Sequence, residues 1–270
     1  MVYLREIIAI ARKENQMDSR FILQFLFTSI IGPIGRLIPL LIVYMALVQG
    51  KSESPIPGVT SDTYIPFLAL GIIFNTAWRA SEQAFRDKFL REKYMQTIDL
   101  FFIAPVRTLS IIGGIGLAEI IKNIPTFIFF LIMVLIIHPT NLAGLFFTLL
   151  VFCLVIVFGL SLGLVGGGLG LASENSLPIW GYFISGLTFL TPFFYPIQMV
   201  SLLPDFLVGI IMPIIKINPL NSGIAFARAA WLQEPLPWID FLYLALISLM
   251  ALFLSVHIFR FIWRRYGVQG

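Results

Sequence analysis

About six long apolar runs divide this chain, and they leave it few ways to fold. A helix needs roughly 20 residues to cross the ~30 Å hydrocarbon core of a membrane, and these runs are near or above that length. Hydrophobic residues make up 59% of the 270-residue sequence and charged residues 12%, against about 25% in soluble domains. The runs lack the alternating polar residues of barrel strands. The sequence therefore predicts an all-α integral membrane protein.

The apolar runs predict six transmembrane helices. We place them at residues 21–48, residues 64–79, a run ending near 137, residues 142–172, a run from after 175 to about 195, and residues 238–261. Residues 1–20 have apolar and charged faces, which predicts an amphipathic helix at the membrane interface. Residues 196–237 are apolar but cut by prolines, which predicts an outer re-entrant segment. Within it, a short helix over 221–232 is expected, with Asn221 as N-cap.

The distribution of positive charge predicts the orientation. Most lysines and arginines lie at the ends of the runs on one side, and only Lys51, Lys216 and Arg228 fall on the other. Because cytoplasmic loops carry the excess of Lys and Arg, both termini and residues 86–107 are expected in the cytoplasm of a multi-pass cell-membrane protein. The same placement explains the net charge of +4 without nucleic acid as a partner. The single cysteine, Cys153, excludes a disulfide framework.

Residues 86–107 form the one long charged segment between two apolar runs. From Asp87 to Ile103 the segment contains no Gly or Pro, and its polar and apolar residues follow a helical repeat. This pattern predicts a short amphipathic helix that ends at Pro105. Such a helix between two spans can offer its polar face to a protein outside the membrane.

Two stretches resemble the membrane subunits of type-2 ATP-binding-cassette (ABC) exporters. Arg91-Glu92-Lys93, followed by Thr-Ile-Asp-Leu-Phe-Phe-Ile-Ala-Pro-Val at 97–106, is similar to the segment before the third span of that family. It departs from the family pattern at Tyr94, where Glu is frequent, and at Gln96, where Gly is frequent. The second stretch is the proline-rich region with Ile-Asn-Pro-Leu at 217–220 and Arg228. The resemblance implies one type-2 ABC transmembrane domain over 1–270.

The resemblance also implies partners. The segment 86–107 would insert into a groove of a separate ATPase subunit and transmit closure of the ATP-bound dimer. The chain has no phosphate loop, so ATP and Mg²⁺ would be bound by that partner, with no cofactor in this chain. A second membrane subunit, most simply an identical one, and membrane lipid complete the partners. The residues expected to couple to the ATPase are Arg91, Glu92, Lys93, Met95, Ile98, Asp99 and Phe102.

Two features are candidates for the substrate path. Arg36 is the deepest charge of the predicted spans, so it either contacts an anionic group or snorkels to the surface beside a kink. The aromatic residues of the fifth run either line a path for an apolar or glycan-bearing substrate or form an interfacial belt. The aromatic candidates for the path are Trp180, Tyr182, Phe183 and Phe189.

Glycines of the fourth run have a simpler interpretation as packing residues. Gly159, Gly163 and Gly167 recur at four-residue spacing beside Gly166, Gly168 and Gly170, which is typical of close helix contact in membranes. Gly159 to Gly163 also matches the nucleophile-elbow pattern around Ser161. That pattern requires a strand-to-helix turn and a base within reach, and the two histidines lie near opposite faces. No catalytic or metal-binding residues are therefore predicted.

The resulting hypothesis is a transport subunit without its own ATP site. It would export a hydrophobic or amphipathic compound, such as a drug or a lipid, by ATP-driven alternation between two packings. An exporter of lipid-linked polysaccharide is the alternative. An intramembrane enzyme acting on lipids and a non-transporting assembly protein are weaker hypotheses, because the spans offer few clustered polar residues and the chain has no large outer domain.

Overall fold

The computed structural model describes residues 2–19, 61–97, 106–173 and 175–266, with isolated positions between 27 and 42. Within these ranges the regular structure is helical, without β-strands. The elements are α1 (Val2–Ser19), α2 (Ser61–Tyr94), α3 (Thr108–Ile137), α4 (Leu142–Ala172), α5 (Ser176–Phe189), a 3₁₀ helix (Ile197–Leu202), α6 (Asp205–Ile217), α7 (Pro219–Leu232) and α8 (Trp238–Tyr266).

Three of these helices, α3, α4 and α8, are long and apolar enough to span a membrane. The pair α6 and α7, bent by 75° at Asn218, would make a fourth span if counted as one. At 34 residues, α2 is long enough but less apolar. The predicted all-α fold is confirmed for the described residues, and these helices are consistent with a membrane location. The predicted first span, 21–48, lies almost entirely outside the described residues.

Helices α2 and α4 form the centre of the bundle through a seam of small residues. A Cβ atom at Gly163 would overlap the carbonyl oxygen of Glu82, and one at Gly159 would overlap Ser81. Gly167, one turn further, faces the backbone of Phe85. Because glycine lets two backbones approach, the seam confirms the predicted close packing along α4. Aromatic contacts flank it, with Trp78 stacked on Phe158 at 5.6 Å between ring centroids.

One end of the bundle, hereafter the charged end, joins α1, the last turns of α2, the start of α3 and the end of α8. Helix α1 packs along α3, where Gly113 and Gly114 face the side chains of Ile7 and Ile10. The N-terminal helix expected over 1–20 is thus present as α1. Its apolar residues contact α3, so α1 is part of the bundle surface and not a detached arm.

At the opposite end, the fifth helix is shorter than predicted. α5 ends at Phe189, and the chain turns between 190 and 196, so the span expected to reach Tyr195 is wrong in its last part. Its 14 residues rise only about 21 Å. The turn exposes backbone carbonyls, and Arg228 of α7 donates to those of Pro192 (2.9 Å) and Phe193 (2.8 Å). Satisfied carbonyls allow a non-helical segment inside an apolar bundle.

The short helix of the predicted outer segment begins earlier than expected. Asn218, not Asn221, is the N-cap of α7, and its side chain accepts a hydrogen bond from the amide of Leu220 at 3.1 Å. Pro219 occupies the first helical position, where a missing N–H group costs nothing. The Asn218 amide nitrogen also donates to Thr191 at 2.8 Å, which fixes α7 to the turn after α5.

We expect Gly163→Ala to lower the free energy of unfolding by about 1–3 kcal/mol, because the added methyl group forces the α2 backbone away from α4. The matched control is Gly181→Ala on α5, whose Cβ meets no described atom within 4 Å. That variant should be neutral or stabilising by up to about 1 kcal/mol, since Ala favours helices over Gly. Denaturation of the purified protein in mixed micelles measures both; equal losses would contradict the close seam.

Candidate functional site

The charged segment 86–107 begins as a direct continuation of α2. The helix predicted to run to Pro105 instead ends at Tyr94, followed by a turn at Met95 and Gln96. Gln96 has a φ of 56°, in the left-handed region. Its amide donates to the carbonyl of Lys93 (3.1 Å), and the amide of Thr97 donates to that of Glu92 (2.9 Å). These two bonds form a Schellman motif, which ends the helix. Here Gln96 occupies the position where Gly is usual, so the sequence gives no signal of the helix end.

A buried ionic network fixes this end of α2 to α1. The ammonium of Lys88 lies 2.7 Å from the carboxylate of Glu14 and 2.8 Å from that of Glu92. All three residues are less than a tenth exposed. Arg91 adds a 3.6 Å contact with Glu14, and the hydroxyl of Thr97 donates to the Glu92 carboxylate. Since removing one partner would leave a buried charge uncompensated, the network holds α1 and α2 in one arrangement.

The network lowers the pKa of Glu92. Burial by itself raises the pKa of this carboxyl, but the contacts with Lys88 and Thr97, together with the charge of Lys13, outweigh that effect. The net pKa lies below the ordinary glutamate value. Glu92 is therefore ionised in the folded protein at neutral pH, as its pairing with Lys88 requires.

The structure distributes the predicted coupling residues between interior and surface. Glu92 is buried, and Lys93 reaches the carbonyl of Gly170 at the end of α4, 3.4 Å away. Arg91 is partly exposed. Met95 is 64% exposed and lies beside Tyr94, which is 68% exposed. Ile98, Asp99 and Phe102 lie outside the described residues.

A groove of about 750 Å³ lies between α2 and α5. Its α2 wall is a polar line at helical spacing, and its α5 wall carries Ser185, Thr188 and aromatic side chains. At the end of the groove away from Arg86, aromatic residues of the turn after α5 line it. The polar line consists of Asn75, Arg79, Glu82, Gln83 and Arg86. The groove therefore changes from charged to apolar along its length.

Two polar side chains of the groove wall, Asn75 and Arg79, differ from the others in their contacts. Asn75 is 4% exposed, and its side-chain oxygen has no hydrogen-bond partner in the described part of the chain. Arg79, one turn further, is exposed and lies close enough to Glu82 to influence its charge, whereas Arg86 pairs directly with Glu82 at 3.2 Å. A buried amide oxygen without a partner, as at Asn75, is costly.

The groove includes part of the predicted substrate path. Tyr182 and Phe189 line it. Trp180 faces α4 instead, where its ring fills the space over Gly166, and Phe183 packs on Trp180 at 5.3 Å between centroids. Arg36 lies outside the described residues. The sequence reading missed Asn75 and Arg79 as groove residues. Their four-residue spacing was visible, but the wall that they face comes from α5, about 100 residues later.

Ser161 is not arranged as a nucleophile. It is buried in α4, and its hydroxyl donates to the carbonyl of Val157 at 2.6 Å. His257 contacts the carbonyl of Phe253 on α8, and Trp231 donates to the carbonyl of His138 in the α3–α4 turn. In the described ranges, no three His, Cys, Asp or Glu side chains are grouped to hold a metal ion.

Comparison with known proteins adds no relative. No protein-family model matches the chain, and no curated protein matches its sequence.

Glu92 should make stability depend on acidic pH. The pKa of Glu92 is lower in the folded than in the unfolded chain. Its ionisation therefore contributes fully to the free energy of unfolding above the unfolded pKa, at about pH 4, and this contribution is lost as pH falls from there through the folded pKa. We expect the wild type to lose stability between about pH 5 and pH 3 more steeply than Glu92→Gln. Thermal unfolding across this range measures the difference. If the stability of wild type and of Glu92→Gln falls with pH in parallel, the lowered pKa of Glu92 is contradicted. The control is Asp205→Asn, in α6 at the opposite end, whose pH dependence should follow that of the wild type.

Proposed function

We propose that this protein is the transmembrane subunit of an ATP-driven type-2 ABC exporter, coupled to a separate ATPase subunit and paired with a second membrane subunit, most simply a copy of itself. One observation carries the proposal. A single helix, α2, lines the groove with Asn75 and Arg79 and ends in the exposed turn of Tyr94 and Met95. A displacement of the turn by the ATPase would therefore be transmitted to the groove through the single helix α2.

The geometry of α2 suits this role. From Arg79 to Tyr94 the helix rises about 22 Å, and no Gly or Pro interrupts it. The ionic network of Glu14, Lys88 and Glu92 couples α1 to the same end, so both helices would move together. Alternation between two packings of the dimer then requires only that ATP-driven closure of the partner favours one of them.

The turn at Gln96 supports the resemblance to this exporter family. Gln96 occupies the position at which the family pattern frequently has glycine, and its φ of 56° is a conformation that glycine adopts most easily. A shared helix-ending turn gives a physical reason for that pattern. With the charged end in the cytoplasm, as the distribution of Lys and Arg favours, the turn would face a cytoplasmic ATPase.

In this proposal, the six spans include residues 21–48 and α5. Because α5 has only 14 residues, it would not cross the membrane by itself, and the fifth span would also include the turn that follows it, whose carbonyls are bound by Arg228. The bent pair α6 and α7 would form the outer re-entrant segment beside it. Both termini would be cytoplasmic.

The groove favours an amphipathic substrate. Arg79 and Asn75 can bind a polar or anionic head, while Tyr182, Phe189 and the aromatic turn suit an apolar part. A drug or lipid fits this description, and so does lipid-linked polysaccharide, the alternative substrate. The outward direction of transport comes from the family resemblance.

The proposal predicts that an ATPase with a phosphate loop co-purifies with the protein in mild detergent. We expect Met95→Asp to reduce the co-purified ATPase at least tenfold, because a charge replaces an exposed apolar contact, roughly a 1.4 kcal/mol loss. Met17→Asp makes the same substitution at an exposed methionine of α1 and should retain the ATPase. Met95→Leu should also retain it. Wild-type protein that purifies without an ATPase in several detergents would refute the proposal.

A further inference from the structure

The charged end contains a hollow away from the groove. Its volume is about 410 Å³, and it lies where α1, the start of α3 and the end of α8 meet. Arg107, Arg260 and Arg264 line it, together with the rings of Tyr3 and Trp263. An adjoining hollow of about 450 Å³ shares Arg260 and Arg264 and adds Arg265. We call these two hollows together the arginine pocket.

The positive charge of the arginine pocket is not balanced within the described part of the chain. None of its four arginines forms an ion pair with a described residue, and no carboxylate lines either hollow. The nearby carboxylate of Glu6 instead accepts a hydrogen bond from Ser110 at 2.5 Å. Because like charges repel, several guanidinium groups around one hollow favour an anion between them.

The guanidinium of Arg107 lies over the ring of Tyr3, with Cζ 4.0 Å from the centroid. This cation–π contact uses none of the N–H donors of the group in a hydrogen bond, so they stay available. Such donors bind phosphate oxygens in pairs, which an ammonium group cannot do with the same geometry.

An apolar surface continues from the arginine pocket along α8. Phe261 is 64% exposed, and Ile258, Leu254 and Phe253 are exposed on the preceding turns. α8 is one of the helices long and apolar enough to span a membrane, and only 17% of its apolar window is buried inside the protein. A free phosphate ion would use the arginines alone. A phospholipid would use the arginines and this surface together.

We propose that the arginine pocket binds the phosphate headgroup of an anionic phospholipid, with the acyl chains along the exposed face of α8. Arg107, Arg260 and Arg264 hold the phosphate, and Arg265 adds charge at the rim. Bound lipid joins the start of α3 to the end of α8 at the membrane surface. This site requires only that α8 lies in a membrane, so it is independent of the exporter function.

The test is binding of phosphatidylglycerol labelled on an acyl chain, followed by fluorescence anisotropy with the purified, delipidated full-length protein. Phosphatidylcholine with the same chains is the neutral comparison. We expect the wild type to prefer phosphatidylglycerol, and Arg260→Gln/Arg264→Gln to bind it roughly tenfold to thirtyfold more weakly, as expected for two surface arginines. Arg12→Gln, which removes an exposed arginine of α1 outside the pocket, should bind as the wild type does.

A second variant protects the test against misfolding. Arg107→Gln changes the pocket from a different element and should also weaken binding, while gel filtration verifies that each variant elutes as the wild type does. Equal binding of the two lipids, or an equal loss in Arg12→Gln, would overturn the proposal. Displacement of the lipid by millimolar inorganic phosphate, at the concentration where phosphate itself binds, would overturn the lipid assignment in favour of a soluble phosphate.

Discussion

Close backbone contact between α2 and α4 is the interaction on which the rest of this protein depends. Gly159, Gly163 and Gly167 allow the two helices to approach until backbone meets backbone, and larger residues would hold them apart. That contact fixes the rotation of α2. Asn75 and Arg79 then face α5, while Lys88 and Glu92 face α1 at the charged end. The groove residues and the turn lie on the same helix, so this one seam orients both.

Polar groups that are buried away from water impose the second constraint on the fold. The buried carboxylates of Glu14 and Glu92 share the ammonium of Lys88, and the carbonyls after α5 are bound by Arg228. Both arrangements join segments far apart in sequence. Each permits a structure that an apolar environment otherwise disfavours, namely a buried charge and a non-helical turn. By contrast, the buried side-chain oxygen of Asn75 has no hydrogen-bond partner among the described residues, and Arg79 beside it is exposed, which is why the groove, and not the network, is the candidate binding site.

The sequence predicted the long elements well and their ends and partners less well. α3, α4 and the start of α8 follow from apolar runs bounded by polar residues, as at His138 and Asn141. α5 was predicted too long, because the aromatic residues Phe193, Phe194 and Tyr195 continue the apolar run beyond Pro192, a signal for a helix end that the prediction did not use. Arg228, distant in sequence, stabilises the turn there. The end of α2 at Tyr94 was not predicted, because Gln96 adopts a left-handed conformation that is unusual for glutamine. The burial of Glu92 was equally hidden, because its network depends on α1.

The central claim is that α2 acts as one rigid helix between the groove and the exposed turn. Spin labels at Arg79 and Tyr94, which bound the part of α2 without Gly or Pro, test it by pulsed electron resonance in protein diluted with unlabelled chains and with the ATPase partner present. A single narrow distance near 22 Å, from about 1.5 Å per residue, is predicted both with and without ATP. A shorter or two-component distribution in either state would show that α2 bends, and would contradict direct transmission from turn to groove.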